Sequence, residues 1–220
     1  MTDHFDSHTA RFLAAVAMQM PNVSGDVMQG WIENPKALRK ALRAALCPPT
    51  ETAEPETPKS PEIKIWRRIK LGTGLTTPDD FWKAITNMDF RIVHYGSDIL
   101  TKKEFAAATK PAKVDLVRMS VKDFGFKGNA RFDEICARAK EIGLELCPAE
   151  VGPQLRLQYL NQPKNERLII AMEAIRDSRG YLRTFHVEHD DDGRWLSTGY
   201  GNCSYSWYPD REFVFVLPRK

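Results

Sequence analysis

The sequence predicts an α+β protein: a small N-terminal helical block tethered to an α+β domain that ends in an antiparallel sheet. Three observations predict it. Residues 166–219 alternate strand-like apolar runs (LIIAM, YLRTFHVEH, RWLSTGY, EFVFVLP) with turn chemistry at DSRG and DDDG. Helical periodicity recurs upstream, but helices and strands are not regularly interleaved as a parallel α/β fold would require. A stretch of abrupt compositional change, CPPTETAEPETPKSPE, separates the two regions. It has five prolines, four glutamates and no large apolar residue, so it cannot bury enough surface to order itself. The predicted organisation is therefore a helical block over 1–46, a linker over 47–62 and an α+β domain over 63–220.

In the helical block, Phe12, Leu13, Val16, Ala17 and Met20 share one helix face, which Pro21 ends. A short helix follows Ser24, with Val27, Met28, Trp31 and Ile32 on one side. Asn34 then caps a third helix with Pro35 in its first turn, where a missing N–H costs nothing. In the domain, Ile63, Ile65, Ile69 and Leu71 predict one strand face, and Lys64, Trp66, Arg68 and Lys70 the other. GTGLT lacks the Gly-Lys-Ser/Thr of a phosphate loop and reads as a turn. Thr77, Pro78, Asp79 and Asp80 signal a helix start, and the helix to about Met88 is expected to bury Phe81, Ile85 and Trp82.

DFRIVHYGSDIL predicts a short strand and then a helical turn, and residues 101–111 an exposed connector. VDLVRMSV predicts a strand with Val114, Leu116 and Arg118 on one side and Val117, Met119 and Val121 on the other. Phe132, Ile135, Cys136, Ala139 and Ile142 mark a helix that Gly143 stops. LELCPAEVGPQLRLQY reads as a rigid loop, after which Leu155, Leu157 and Tyr159 resume strand alternation. Asp192-Gly193 is a hairpin signal. The last four strands are expected to form an antiparallel β-meander.

Composition narrows the function. The chain has 220 residues, 42% hydrophobic and 28% charged, with a formal net charge of +3. That balance describes a globular chain without the concentrated basic patch of a committed nucleic-acid binder. No apolar run approaches the ~18 residues that span a bilayer, and no secretory signal opens the chain, so a cytoplasmic protein with no membrane partner is expected. The four cysteines form no Cys-x-x-Cys pair and are read as reduced, mostly buried thiols.

The runs ARFDEICARAKEIGLELCPAEVGPQLRLQY, LIIAMEAIRDSRG, GRWL and FVFVLPR, preceded by IKLGTG, DDF and GSDIL, are similar to a family of uncharacterised bacterial proteins. The resemblance spans roughly Ile63 to Lys220. It implies a shared domain with a variable N-terminal piece, and it implies no activity and no catalytic residue.

Four constellations invite a chemical reading. Glu150, held between two prolines, is placed to meet a ligand, with Arg156 and Gln158 assisting; the plainer reading is a helix-to-strand loop. Trp195, Tyr200, Tyr205, Trp207 and Tyr208 lie in a Gly-, Asn- and Ser-containing segment whose composition resembles recognition surfaces, although such rings also cover sheets. Lys36, Arg39, Lys40 and Arg43, with the Lys64/Trp66/Arg68/Lys70 face, compose an alternative nucleic-acid surface; a solvated helix face and a covered tryptophan are the plainer readings. His186 and Glu188 share a strand face beside three aspartates, weak candidates for a metal or a small hydrolase, where hairpin-tip polarity is the plainer reading. No nucleophile elbow, zincin, Rossmann or P-loop motif occurs, and no cofactor is expected. The leading expectation is a non-catalytic interaction or adaptor module that binds a protein partner or itself.

Overall fold

In the computed structural model, the described residues are 24–35, 37, 38 and 63–219, with isolated positions 11, 14, 15, 18 and 41. The chain divides into two compact units, Met1–Glu51 and Thr52–Lys220. In the first, helix α1 spans Gly25–Glu33. Asn34 caps the next helical stretch as its sequence predicts, its Oδ1 accepting from the Ala37 amide at 3.1 Å. The 47–62 linker and the charges Lys36, Arg39, Lys40 and Arg43 lie outside the described residues.

The second unit is α+β. Its strands are β1 (Arg67–Leu71), β2 (Arg91–Ile92), β3 (Ala112–Ser120), β4 (Ala130–Arg131), β5 (Glu166–Ile170), β6 (Ile175–Arg176), β7 (Leu182–Asp190), β8 (Gly193–Tyr200), β9 (Ser206–Trp207) and β10 (Glu212–Leu217). Its helices are α2 (Pro78–Thr86), α3 (His94–Leu100), α4 (Phe132–Glu141) and α5 (Val151–Gln158). The main sheet runs β1-β3-β10-β5-β7-β8-β2, with β6 beside β7, and β4 pairs with β9 separately.

Helices cover both faces of this sheet. On one, Phe81 and Ile85 of α2, Ile99 and Leu100 of α3, and Val151 and Leu155 of α5 pack on Ile69, Leu116, Leu168, Phe185, Leu196 and Val214. On the other, Phe132, Ile135 and Ala139 of α4 pack on Val117, Met119, Ile169, Phe213 and Phe215. Alternation along β3 and β10 supplies both cores, as period-2 side-chain geometry requires. Strands β5, β7 and β8 form the expected meander, and β7–β8 turns through Asp191-Asp192 with Gly193 at φ 125°. The last strand departs from the meander. It crosses back to lie between β3 and β5, antiparallel to the first and parallel to the second, because its apolar Phe213–Val216 needs cover on both faces.

Three further expectations are corrected. Residues 151–158 form a helix, not a loop and strand. Pro153 sits in its first turn, where it is tolerated, and the Gln154 amide bonds to the Glu150 carbonyl at 3.0 Å. The helix is buried on all sides from Val151 to Arg156, so it shows no simple amphipathic stripe. Trp82 is 49% exposed rather than buried. Finally, Lys64, Trp66, Arg68 and Lys70 do not make one strand face. The Trp66 amide bonds to the Leu116 carbonyl while Arg67 is the register partner of Leu116, so two residues oppose one, as in a β-bulge. The bulge turns Trp66 against Tyr159, at 5.1 Å edge-to-face, and leaves Ile65 half exposed.

Three polar residues one helical turn apart fasten α5 to the β1 edge. Gln158 accepts from the Lys70 amide at 2.9 Å and donates to the Lys70 carbonyl at 2.8 Å. Gln154 donates to Thr73 Oγ1 at 2.7 Å and to Glu150 Oε1 at 3.0 Å. The Glu150 carboxylate, 1% exposed, accepts from the amides of Gly72 at 2.9 Å and Ala108 at 2.8 Å. Removing a buried charged acceptor leaves both donors unsatisfied. Glu150→Ala is therefore expected to destabilise the domain by about 2–4 kcal/mol in a denaturant titration; a loss no larger than that of an exposed surface substitution would contradict this role.

Candidate functional site

The turn that joins β6 to β7 is organised by one carboxylate. Asp177 Oδ1 accepts from the amides of Arg179 at 3.0 Å and Tyr181 at 2.8 Å, and its Oδ2 accepts from Arg183 Nε at 2.9 Å. Burial works to raise the Asp177 pKa, but the Arg183 contact and the two amides outweigh it and hold the carboxyl below its usual range. The pair is almost wholly buried, which fixes the Arg183 guanidinium in one place.

Tyrosines gather around that guanidinium. Its carbon lies 4.4 Å from the Tyr95 ring centroid, 5.0 Å from Tyr200 and 5.7 Å from Tyr181. Arg179 donates to the Tyr95 hydroxyl at 2.8 Å. Tyr200 stacks on Tyr205 at 5.4 Å, and Tyr205 meets Trp207 edge-on at 4.8 Å. Tyr181, Tyr200 and Tyr205 remain 41%, 48% and 41% exposed. The result is a contiguous aromatic and cationic surface at one end of β7 and β8, held by a buried ion pair. Rings with few rotatable bonds, ordered before binding, lose little entropy when a partner arrives.

Of the aromatic residues singled out in the sequence, Tyr200 and Tyr205 belong to this surface. Trp207 is 7% exposed and anchors it from the core, against Phe213 at 5.4 Å. Tyr208, 61% exposed, follows β9 directly. Trp195 is not part of it. It sits at the hairpin end of β8, about 17 Å of strand from Tyr200, donating to Asp190 Oδ1 at 2.9 Å with Arg91 over its ring. Sequence reasoning missed Tyr95, Arg179 and Arg183; the even spacing of Tyr181, Arg183 and Phe185 on one strand face was the available signal.

Glu150 and Gln158 are the fastenings described above, not ligand contacts. Arg156 is fully buried, and its two terminal nitrogens donate to uncharged oxygens: Gln162 Oε1, the Tyr159 carbonyl at 2.6 Å and the Glu188 carbonyl at 3.2 Å, while its Nε has no partner among the described residues. Burial, and then repulsion from Arg194, push its pKa down to about 10, so it stays charged at neutral pH. On β1, Arg68 is paired with Asp115, whose carboxyl that hydrogen bond, together with Arg219, brings down to about 2. Trp66 is occupied by Tyr159, with Arg67 and Arg118 beside its ring, so it offers no free face for a base. Lys64 and Lys70 are exposed.

His186 and Glu188 do come together, at 3.5 Å between Nδ1 and Oε1, and Arg167 pairs with Glu188 at 3.0 Å. The imidazole is 3% exposed and packs beneath Trp207 at 5.9 Å and against Gly199, where a Cβ would come within 2.2 Å of the ring. A ring so enclosed cannot reach a substrate. Among the described residues no group of three or more His, Cys, Asp or Glu is placed to hold a metal ion. Comparison with known protein families, curated proteins and solved structures returns no match. No helix among the described residues is long and apolar enough to cross a membrane.

Burial lowers the His186 pKa below its ordinary 6.5, against the opposing pull of Glu188. Its Nε2 has no hydrogen-bond partner, so protonation would bury an unpaired N–H. Below pH ~6.5 the unfolded chain then binds more protons than the folded one, so this contribution to stability is complete above that pH and falls as the pH drops. His186→Phe is expected to flatten the loss of stability between about pH 7.5 and 5, read by denaturant titration at each pH; an unchanged pH slope would contradict a neutral buried imidazole.

Proposed function

We propose that the chain is a non-catalytic binding module that recruits a protein partner through the surface of Tyr181, Tyr200, Tyr205 and Arg179. The observation that carries this reading is that half-exposed Tyr181 and Tyr200 flank the guanidinium of a buried Arg183–Asp177 pair and half-exposed Tyr205 stacks on Tyr200. Tyrosine and arginine dominate the energetic centres of protein interfaces, and ion-paired support of this kind keeps them ordered in the free state. The N-terminal unit supplies a second contact. Helix α1 exposes Val27, Met28 and Ile32 at 48%, 43% and 69%, more apolar surface than a solvated helix needs. A Pro- and Glu-rich tether between two such contacts raises the effective concentration of the second once the first has formed.

A reducing, cytoplasmic setting is part of this proposal, and the thiol chemistry supports it. Cys136 and Cys147 form no disulfide, and burial, followed by nearby Glu173 and Asp133, pushes Cys136 up to about 12, too high for ready thiolate chemistry.

The test uses full-length protein and a Tyr200→Ser/Tyr205→Ser double variant. Both tyrosines are exposed, so circular dichroism and unfolding midpoint are expected to be retained. Quantitative pull-down from the source organism should give a recurrent protein whose yield falls at least about tenfold in the variant, the effect of losing a hot spot. Equal capture by both proteins would sink the assignment of the surface.

A further inference from the structure

A groove of about 790 Å³ opens where β1 ends and β3 begins, lined by Lys70, Gly72, Thr73, Thr76, Thr109 and Lys113 among others. Its size suits a small organic ligand. Its walls are two loops, 72–76 and 108–112, and both are built rather than slack. Glu150 holds the amides of Gly72 and Ala108 together from behind, and Gln154 holds the Thr73 hydroxyl. Gly72 has φ 61°, and a Cβ there would come within 2.2 Å of the Lys110 carbonyl, so the loops approach as closely as backbone allows.

The charge pattern of this groove is unusual. Lys70 and Lys113 are direct register partners across the antiparallel β1–β3 pair. Like charges directly opposite each other on a sheet are destabilising. Among the described residues no carboxylate pairs with either lysine. The neighbouring acidic groups are already engaged: Asp115, two residues along β3 from Lys113 on the same face, pairs with Arg68 and Arg219, Asp80 accepts from the amides of Thr76 and Thr77, and Glu150 lies behind the wall. Lysines on an edge strand commonly guard it against pairing with another chain. Here that need is already met, because Gln158 occupies both the N–H and the C=O of Lys70.

We infer that this groove binds a small anion carrying two phosphate-type groups, with Lys70 and Lys113 each taking one charge and the hydroxyls of Thr73, Thr76 and Thr109 lining the space between. The ligand relieves the repulsion that the empty groove tolerates. This site is independent of the tyrosine surface, and either assignment can fail without the other.

The probes are inorganic pyrophosphate, inorganic phosphate and a single-stranded oligonucleotide, added to the full chain and followed by calorimetry and thermal shift. Pyrophosphate is expected to bind more tightly than phosphate. In Lys70→Gln/Lys113→Gln its dissociation constant should rise at least about tenfold, the loss expected for two charge-assisted contacts. Both lysines are exposed, and the ligand-free variant should unfold at the same or a higher temperature than the wild type, since repulsion has been removed. Absence of pyrophosphate binding, or binding unchanged in the double variant, overturns the site. So does tight binding of the oligonucleotide that pyrophosphate does not displace, which would assign the lysines to an extended polyanion. A ligand-free variant clearly less stable than wild type contradicts the like-charge premise.

Discussion

The structure depends on a helix that is buried together with its polar side chains. On one side of α5, Glu150, Gln154 and Gln158 stand one turn apart and bond to the loops and edge of β1. On the other, Arg156 reaches Gln162 and the carbonyls of Tyr159 and Glu188, and Gln162 continues to the Val187 carbonyl at 3.0 Å. Burying a guanidinium and a carboxylate without direct pairing to each other is costly unless every group finds a partner. Here the amides of Gly72 and Ala108 meet the carboxylate, and Gln162 with the Tyr159 and Glu188 carbonyls meets the two terminal nitrogens of the guanidinium. The helix therefore fixes the edge strand and the centre of the sheet relative to each other, and hydrophobic packing alone would leave that registration looser.

Both candidate binding features draw on this arrangement. The groove between the 72–76 and 108–112 loops exists because Glu150 draws two loop amides to one carboxylate. The tyrosine surface stands on β7, whose Glu188 and Val187 carbonyls accept from Arg156 and Gln162 and whose second residue is Arg183. Each feature adds its own local support: Gly72 in the groove, Asp177 under the tyrosines. Residues scattered along the sequence are thus held in fixed places, and among the described residues no group of three or more His, Cys, Asp or Glu is placed to hold a metal ion.

Much of this fold was legible from local chemistry. The Thr77–Asp80 capping box is formed as the sequence suggests, β3 shows the expected two faces, α4 ends at Gly143 with φ 86°, and Asp192-Gly193 makes the hairpin. What was illegible shares one cause: tertiary partners replaced the local pattern. Helix α5 lacks an amphipathic stripe because protein surrounds it, so Leu155, Leu157 and Tyr159 mimic a strand. Trp66 leaves its strand face because of a bulge that no local residue announces. The position of β10 between β3 and β5 was not available from its neighbours in sequence. The tyrosine surface joins Tyr95 of α3 to rings about a hundred residues later, a juxtaposition that only the folded sheet provides. Glu150 stands out in the sequence because two prolines flank it, with Arg156 and Gln158 nearby, and in the fold all three side chains are engaged by other parts of the chain.

The most direct test of the account is native-state hydrogen exchange at the Gly72 and Ala108 amides. Both belong to loops outside any strand or helix, and loop amides ordinarily exchange by local opening of small free energy. If the buried Glu150 carboxylate clamps them as α5 demands, they should exchange only with opening free energies close to those of core amides such as Ile169. Exchange at the rate of unprotected loop amides would show that the clamp is not formed in solution and would contradict the central role given to α5.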